Sequence, residues 1–159
     1  MAEKQFTHVD ASGAARMVDV SGKDVSVREA TATGAVLVSA EVVGLLRGTG
    51  VPKGDALAVA RIAGIQAAKR TPDLVPLCHP IAIHGVVVDL EMLDDRVTIS
   101  ATVRTADRTG VEMEALTCVS VAALALVDMV KAVDPAAVIT DVRVEEKLGG
   151  KTGVWRREA

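Results

Sequence analysis

The stretch HGVVVDLEMLDDRVTISATVR, residues 84–104, contains the clearest secondary-structure pattern in the chain. Within residues 96–104 apolar and polar residues alternate, with Val97, Ile99, Ala101 and Val103 on one side and Thr98, Ser100 and Thr102 on the other. A period of two is typical of a half-buried β-strand. Residues 84–92 alternate more weakly, and Asp94 and Asp95 lie between the two runs, as in a hairpin. The sequence therefore predicts an antiparallel pair of strands here.

Upstream of this hairpin the pattern predicts a strand over residues 32–40, followed by two helices. The first helix spans residues 39–48, with Ser39 as its N-cap and Gly48 as its stop. The second spans residues 55–71, and Asp55 can cap its first turn. The glycines and proline of residues 49–54 indicate a loop. Three prolines within residues 72–80 predict an irregular segment after the second helix.

Downstream, a long apolar helix is predicted over residues 110–133, and a last strand over residues 137–146. Thr109 and Glu112 match the S/T-x-x-E capping box, which predicts the start of that helix. Asp134 and Pro135 end it.

The order strand, helices, strand, strand, helix, strand indicates an α+β, ferredoxin-like fold. We expect a four-stranded antiparallel sheet covered on one face by helices. A length of 159 residues favours one domain over residues 1–159. Within it we expect an extended arm over residues 1–27 and a mobile basic tail over residues 147–159. This fold hosts many functions, so it identifies none of them.

Composition narrows the class of protein. The net charge is −3, and Phe6 and Trp155 are the only aromatic residues. A nucleic-acid surface is therefore not expected, since it needs positive charge and, for single strands, stacking platforms. Continuous apolar runs fall short of the roughly 20 residues of a membrane helix, and the N-terminus has no signal-peptide pattern. We expect a cytoplasmic protein with no membrane partner. Two net-positive segments, residues 51–80 and 143–157, suit a small anion or a solvated surface.

The segment LGGKTG, residues 148–153, contains the GKT of a phosphate-binding P-loop. That motif requires a glycine five residues before Gly150, where this chain has Glu145. The chain also ends seven residues after Thr152, which leaves no room for the helix that follows a P-loop. Two readings remain: a frayed terminus, or a glycine-rich tail that closes over an anion with Lys147 and Lys151.

Asp128 and Lys131 are three residues apart on the long helix and are predicted to touch. They form either an exposed ion pair or a partly buried pair suited to acid–base chemistry. Glu114 lies about 21 Å away along the helix axis, at about 1.5 Å per residue. Glu114 and Asp128 can serve one small substrate only if the site of another chain overlaps with this one, or if one of the two residues has a structural role.

Cys78 and His79 lie in the LCHP segment, and Cys118 lies in the apolar helix. With His84 they match none of the familiar zinc spacings, so no metal site is predicted. Structural roles for the cysteines and for His79 remain the plainer alternative.

Three long segments resemble the MoaC family, the cyclic pyranopterin monophosphate synthases of molybdenum cofactor biosynthesis. They are residues 53–80, 109–133 and 146–153, and MVDVS (17–21) and VREA (27–30) also fit. The resemblance implies conversion of 3′,8-cyclo-7,8-dihydroguanosine triphosphate to cyclic pyranopterin monophosphate with release of pyrophosphate. It implies no required cofactor, although Mg²⁺ can accompany the triphosphate.

The resemblance also implies site residues. The catalytic ones are Asp128 and Lys131, as a proton-transferring pair, assisted by Lys53. The substrate-binding ones are Lys69, Cys78, His79, Glu112, Glu114, Lys147 and Lys151. Lys69, His79 and the tail lysines are expected to hold the triphosphate.

The family's assembly is a hexamer built as a trimer of dimers, with active sites at the dimer interface, and the resemblance implies the same here. Leu148 stands where the family tail usually has serine. A non-catalytic ferredoxin-like module that binds or senses a nucleotide is the alternative function.

Overall fold

The computed structural model describes residues 5–48 and 55–159, which form an α+β fold. The elements in chain order are β1 (Ser26–Leu37), α1 (Ala40–Arg47), α2 (Ala56–Ala68), α3 (Thr71–Leu74), β2 (Ile83–Met92), β3 (Arg96–Asp107), α4 (Glu112–Val130), β4 (Val138–Leu148) and β5 (Trp155–Arg156). The strands form one antiparallel sheet in the order β2-β3-β1-β4-β5. The predicted loop over residues 49–54 lies outside the described residues.

The first four strands and the helices α2 and α4 give the β-α-β-β-α-β order of a ferredoxin-like fold, as predicted. The prediction of four strands misses β5, which pairs with the end of β4. Only two residues long, β5 carries no alternating pattern that the sequence could reveal. The long helix α4 packs on β1, β3 and β4, whereas α2 packs on α4 and β2. The helices thus cover one face of the sheet.

The alternation in β3 is confirmed. Val97, Ile99, Ala101 and Val103 are each at most 1% exposed, and they face the helices. β3 lies between β2 and β1, so its apolar face occupies the middle of the core. Burial of one such aliphatic side chain stabilises the fold by about 1.5–3 kcal/mol.

The predicted caps of the first two helices are confirmed. Ser39 Oγ accepts a hydrogen bond from the amide of Val42 at 3.3 Å, at the start of α1. Asp55 Oδ1 accepts one from the amide of Ala58 at 3.0 Å, at the start of α2. Each oxygen satisfies one of the amide groups that a helix N-terminus leaves unpaired.

The predicted capping box at α4 is wrong. The N-cap is Val111, and α4 has no side-chain cap hydrogen bond among the described residues. Glu112 is therefore the first residue of the helix and not the third. Its carboxylate lies against Gly110 and also contacts Lys147, but with Val111 as the N-cap the reciprocal pair of bonds that the motif requires is not formed.

The segment between α2 and β2 is less irregular than its prolines predict. Thr71–Leu74 forms the short helix α3, with a proline in its first turn, where the missing amide costs nothing. The Thr71 hydroxyl is buried and donates to the carbonyl oxygen of Ala68 at 3.0 Å. This bond ties α3 to the end of α2, and the chain then continues irregularly through Cys78 and His79.

By length and mean hydropathy, 1.8, α4 is the one helix in the described ranges that resembles a membrane span. Of its apolar window, 56% is buried inside the domain. Because α4 packs on three strands and on α2, its apolar surface is that of a core helix.

Candidate active site

A cleft lies at the N-terminus of α4, between that helix, the end of β4 and the segment before β1. It consists of two adjoining cavities of about 230 and 220 Å³. Both cavities are lined by Lys23, Thr109, Gly110 and Glu112. We call the two cavities together the α4 cleft, and the individual cavities its basic and its inner cavity.

The basic cavity is formed by the tail and by the start of β1. Its charged lining residues among those described are Lys23, Arg28, Lys147 and Lys151 against Glu29 and Glu112. Lys147 Nζ lies 3.2 Å from Glu112 Oε1, which links the end of β4 to the first turn of α4. The surplus of positive charge makes this cavity suitable for a phosphate-bearing ligand.

Two glycines let the tail approach β1 closely. Gly149 and Gly150 have φ values of +92° and +73°, a region that favours glycine. A side chain at Gly149 would collide with the carbonyl oxygen of Val27, and one at Gly150 would collide with the guanidinium of Arg28. The Arg28 guanidinium is itself held, because its Nε donates to the carbonyl oxygen of Asp107 at 3.0 Å. The glycines therefore shape one wall of the basic cavity.

The inner cavity is lined by Cys78, His79 and Glu114, together with residues of the N-terminal segment. His79 Nε2 lies 2.6 Å from the carbonyl oxygen of Val18. A carbonyl can only accept a hydrogen bond, so Nε2 carries the proton and Nδ1 is the basic nitrogen of the neutral ring. This contact also ties residues preceding β1 to the loop that follows α3.

Glu114 is buried in the first turn of α4, with 3% of its surface exposed. Burial raises its pKa to about 7; a backbone hydrogen bond opposes this shift, and the charge of Glu112 adds to it. A carboxyl group that titrates near neutral pH can both give and take a proton. Sequence spacing does not reveal this property, which depends on burial.

The two cysteines are poor nucleophiles. Burial raises the pKa of the Cys78 thiol, and the charge of Glu114 raises it further. Burial raises the pKa of Cys118 to about 12, and this residue has no exposed surface. Only the thiolate is strongly nucleophilic, so neither sulfur is activated at neutral pH.

Asp128 and Lys131 form the predicted contact at the opposite end of α4. Lys131 Nζ donates to Asp128 Oδ1 at 2.6 Å. Both side chains are exposed, 54% for Asp128 and 59% for Lys131. Within one chain they therefore form an exposed ion pair, and not the partly buried pair that was the other alternative. Asp128 lies about 21 Å along the helix axis from Glu114, given about 1.5 Å of rise per residue. Within one chain the pair is thus remote from the α4 cleft.

One other predicted residue stands apart from the cleft. Lys69 is the C-cap residue of α2 and is exposed. It is absent from the lining of either cavity within the described ranges. Lys53 lies outside the described residues. A single chain therefore brings together six predicted residues: Cys78, His79, Glu112, Glu114, Lys147 and Lys151.

The model of the MoaC family matches residues 17–150 of the chain. The chain belongs to the MoaC family. A relative from a Nocardioides species, named cyclic pyranopterin monophosphate synthase, is 73% identical over 157 residues, which cover 97% of this chain and 96% of the relative. One of the same name from Streptomyces avermitilis is 71% identical, covering 98% of this chain and 92% of the relative. A Mycobacterium tuberculosis relative, named cyclic pyranopterin monophosphate synthase 2, is 58% identical, covering 96% and 92%.

The region that matches the MoaC family begins at Met17 and ends at Gly150, so it includes Lys23 but not Thr7 and His8, which also line the inner cavity. Lys151 lies one residue beyond this region. Leu148, where the family resemblance implies a serine, lines the basic cavity. The cavity thus has an aliphatic wall at this point.

Sequence analysis missed two basic residues of this MoaC-family cleft. Arg28 lies within VREA, one of the segments that carried the resemblance, but it received no role. Lys23 lies between MVDVS and VREA and lines both cavities. The available signal was that Arg28 lies within a family-like segment and Lys23 lies between two of them, since nothing in their spacing relates them to the tail.

Among residues 5–48 and 55–159, no three His, Cys, Asp or Glu side chains come together in a way that could hold a metal ion. The cleft supplies lysines, one arginine, two histidines and carboxylates. This set of groups binds anions and transfers protons.

Proposed function

We propose that this chain is a cyclic pyranopterin monophosphate synthase. It converts 3′,8-cyclo-7,8-dihydroguanosine 5′-triphosphate to cyclic pyranopterin monophosphate and pyrophosphate, by acid–base catalysis, in the cytoplasm. The α4 cleft supports this function, because a basic cavity adjoins one that contains a neutral-range carboxyl group and a histidine. The shared name of relatives up to 73% identical supports the same reaction.

The basic cavity suits the triphosphate. Lys23, Arg28, Lys147 and Lys151 provide charge-assisted hydrogen bonds to its oxygens. The same groups stabilise the negative charge that develops on the leaving pyrophosphate. We assign no resident cofactor, and Mg²⁺ can enter together with the triphosphate.

The inner cavity suits the purine ring. Glu114 titrates near pH 7, and His79 presents Nδ1 as a base when the ring is neutral. Opening of the five-membered ring and closure of the pterin both require proton transfers. We assign these two residues to protons on the ring, with Glu112 and Cys78 lining its binding site.

Asp128 and Lys131 enter the site from a second copy of the chain. A small substrate cannot bridge about 21 Å within one protomer, whereas a partner can place its own pair at the cleft. Exposed Ile62 and Leu124, on α2 and α4, are 65% and 60% exposed and offer apolar surface for such contact. We propose a homo-oligomer, a hexamer built as a trimer of dimers, in which Lys53 and Lys69 complete the site.

Pyrophosphate release from the cyclised substrate tests this function. Asp128→Asn and Lys131→Ala, made separately, should each lower turnover by about 100-fold or more, because a proton-transfer group is lost. Asp94→Asn is the matched control, since Asp94 also forms an exposed ion pair, with Arg47 at 3.4 Å, but lies at a hairpin turn. Parent-level turnover in either of the first two variants would refute the assigned mechanism.

A non-catalytic module that senses a nucleotide is the second candidate. The basic cavity favours it, because binding of a triphosphate requires positive charge but no acid–base pair. This function predicts that the parent protein binds GTP without releasing pyrophosphate from the cyclised substrate. Isothermal titration with GTP, alongside the release assay, separates the two.

A further inference from the structure

The C-terminal segment folds back onto the sheet. β5 pairs antiparallel with the end of β4, with Glu146 opposite Arg156 and Lys147 opposite Trp155. The intervening residues 148–154 therefore form a closed loop with both ends on the sheet. This loop includes Lys151, whereas Lys147 lies at its base, within β4.

Arg157 makes the contacts that attach this loop. Its amide donates to the carbonyl oxygen of Glu145 at 2.8 Å, and its Nε donates to the carbonyl oxygen of Val144 at 2.8 Å. Its guanidinium also lies 5.8 Å from the centre of the Trp155 ring, within the range of a cation–π contact. Arg157 thus contacts β4 at two backbone carbonyl oxygens: the amide bond would form with any residue here, whereas the bond from Nε depends on the arginine side chain.

The strand to which Arg157 attaches is itself held at this point. Glu145 Oε1 accepts hydrogen bonds from Thr33 Oγ1 at 2.7 Å and from Arg143 Nε at 2.6 Å. Arg157 Nε lies 3.8 Å from the other oxygen of Glu145. The contacts therefore run from β1 through β4 to the C-terminal segment.

The neighbouring arginine differs. Arg156 Nε contacts Glu146 Oε1 at 2.8 Å, and its side chain is 73% exposed. Exposed ion pairs of this kind contribute little to stability. Arg156 is therefore a matched control for Arg157, with the same residue type one position away.

We propose that Arg157 is a positioning residue of the active site: it fastens β5 to β4 and thereby holds the loop carrying Lys151 over the basic cavity. It touches no substrate. Its effect is preorganisation, since a loop held at both ends loses less conformational freedom on binding than a tail held at one. The kinetic consequence rests on the proposed function, but the ordering of the loop does not.

The first test follows the loop without substrate. In Arg157→Ala we expect trypsin to cleave after Lys151 about fivefold faster than in the parent. We also expect acrylamide to quench the fluorescence of Trp155 more strongly, since Trp155 is the chain's only tryptophan. Arg156→Ala should stay within about twofold of the parent in both measurements. The midpoint of thermal unfolding of each variant should lie within about 2 °C of the parent's, because both changes are at the surface.

The second test is steady-state kinetics with the cyclised substrate. Arg157→Ala should raise KM about fivefold and leave kcat within twofold, because the cost falls on binding. A loss confined to kcat, or equal effects of Arg156→Ala and Arg157→Ala, would overturn the proposal. If the parent releases no pyrophosphate, the proposed function fails, while trypsin cleavage and quenching still decide the role of Arg157.

Discussion

Lys147 on β4 and Glu112 at the first turn of α4 form an ion pair of 3.2 Å across the basic cavity. The pair joins the two elements between which a phosphate group would bind. Each side chain is about one-third exposed, so the contact is accessible to an incoming anion. A triphosphate that binds Lys147 must therefore compete with the Glu112 carboxylate.

Glu112→Gln should strengthen the binding of inorganic pyrophosphate severalfold, because the change removes a negative charge beside Lys147. The effect should shrink as salt is raised, since the cavity is open to solvent. Isothermal titration at low and high ionic strength measures both. Weaker binding in the variant would show that Glu112 holds Lys147 in its binding position and does not compete with the anion.

Gly150→Ala should damage the basic cavity more than Gly153→Ala. Both glycines have positive φ, +73° and +63°, so each alanine pays about 1–2 kcal/mol of backbone strain. Only at Gly150 would the new methyl group collide with the Arg28 guanidinium, whereas Gly153 has no described atom within 4 Å of that position.

We expect kcat/KM to fall about tenfold further for Gly150→Ala than for Gly153→Ala. Equal losses in the two variants would mean that backbone strain, and not the contact with Arg28, is responsible.

The secondary-structure predictions that the structure confirms depend on residues that are close together in the sequence. The alternation of residues 96–104 and the caps at Ser39 and Asp55 involve neighbours in sequence, and the structure confirms them. The capping box at Thr109 failed because α4 begins at Glu112 with Val111 as its N-cap, and the Glu112 carboxylate also pairs with Lys147, a residue distant in the chain.

For the candidate site, too, the sequence predicted the local contact but not the features that depend on tertiary structure. The contact between Asp128 and Lys131 follows from helical spacing and is present. The positions of Lys23 and Arg28 beside the tail depend on the pairing of β1 with β4, which no spacing reveals. The neutral-range pKa of Glu114 depends on tertiary burial, which raises it.

Gly64→Ala should destabilise the protein although alanine favours helices. A methyl group at Gly64 would lie 2.9 Å from the carbonyl oxygen of Cys118, where α2 and α4 pack closely. Overpacking of this kind costs about 1–3 kcal/mol, against a propensity gain of about 1 kcal/mol.

Gly44→Ala is the control, since Gly44 is exposed on α1 with no described atom within 4 Å of an added Cβ. It should stabilise the protein by about 0.5–1 kcal/mol. Urea unfolding compares the two variants, and a stabilised Gly64→Ala would show that the helices separate at little cost.

Burial of Glu114 should make stability depend on pH. Its pKa rises from 4.5 to about 7 on folding, so between these values the folded state binds more protons than the unfolded state. The free energy of unfolding should therefore fall as pH rises from about 4.5 to about 7, and this contribution should level off above pH 7.

The decrease in the free energy of unfolding attributable to Glu114 is roughly 2–3 kcal/mol. Glu114→Gln should lack it, which urea unfolding at pH 5 and pH 7.5 can measure in both proteins. An unchanged slope in the variant would assign the pH dependence to other groups.

A site shared between protomers should allow two inactive variants to restore each other. Glu114→Gln alters the cleft, and Asp128→Asn alters the pair at the other end of α4, about 21 Å away along the axis. In a mixed dimer, one of the two sites combines the unaltered Glu114 of one protomer with the unaltered Asp128 of its partner. Co-refolding the variants in equal amounts should therefore recover about a quarter of parental pyrophosphate release, because half the dimers are mixed and each has one intact site.

Co-refolding Asp128→Asn with Lys131→Ala is the control: both changes fall in one half-site, so a mixed dimer has no intact site and activity should stay at background. Equal recovery in the two mixtures, or none in the first, would contradict a site built from two chains.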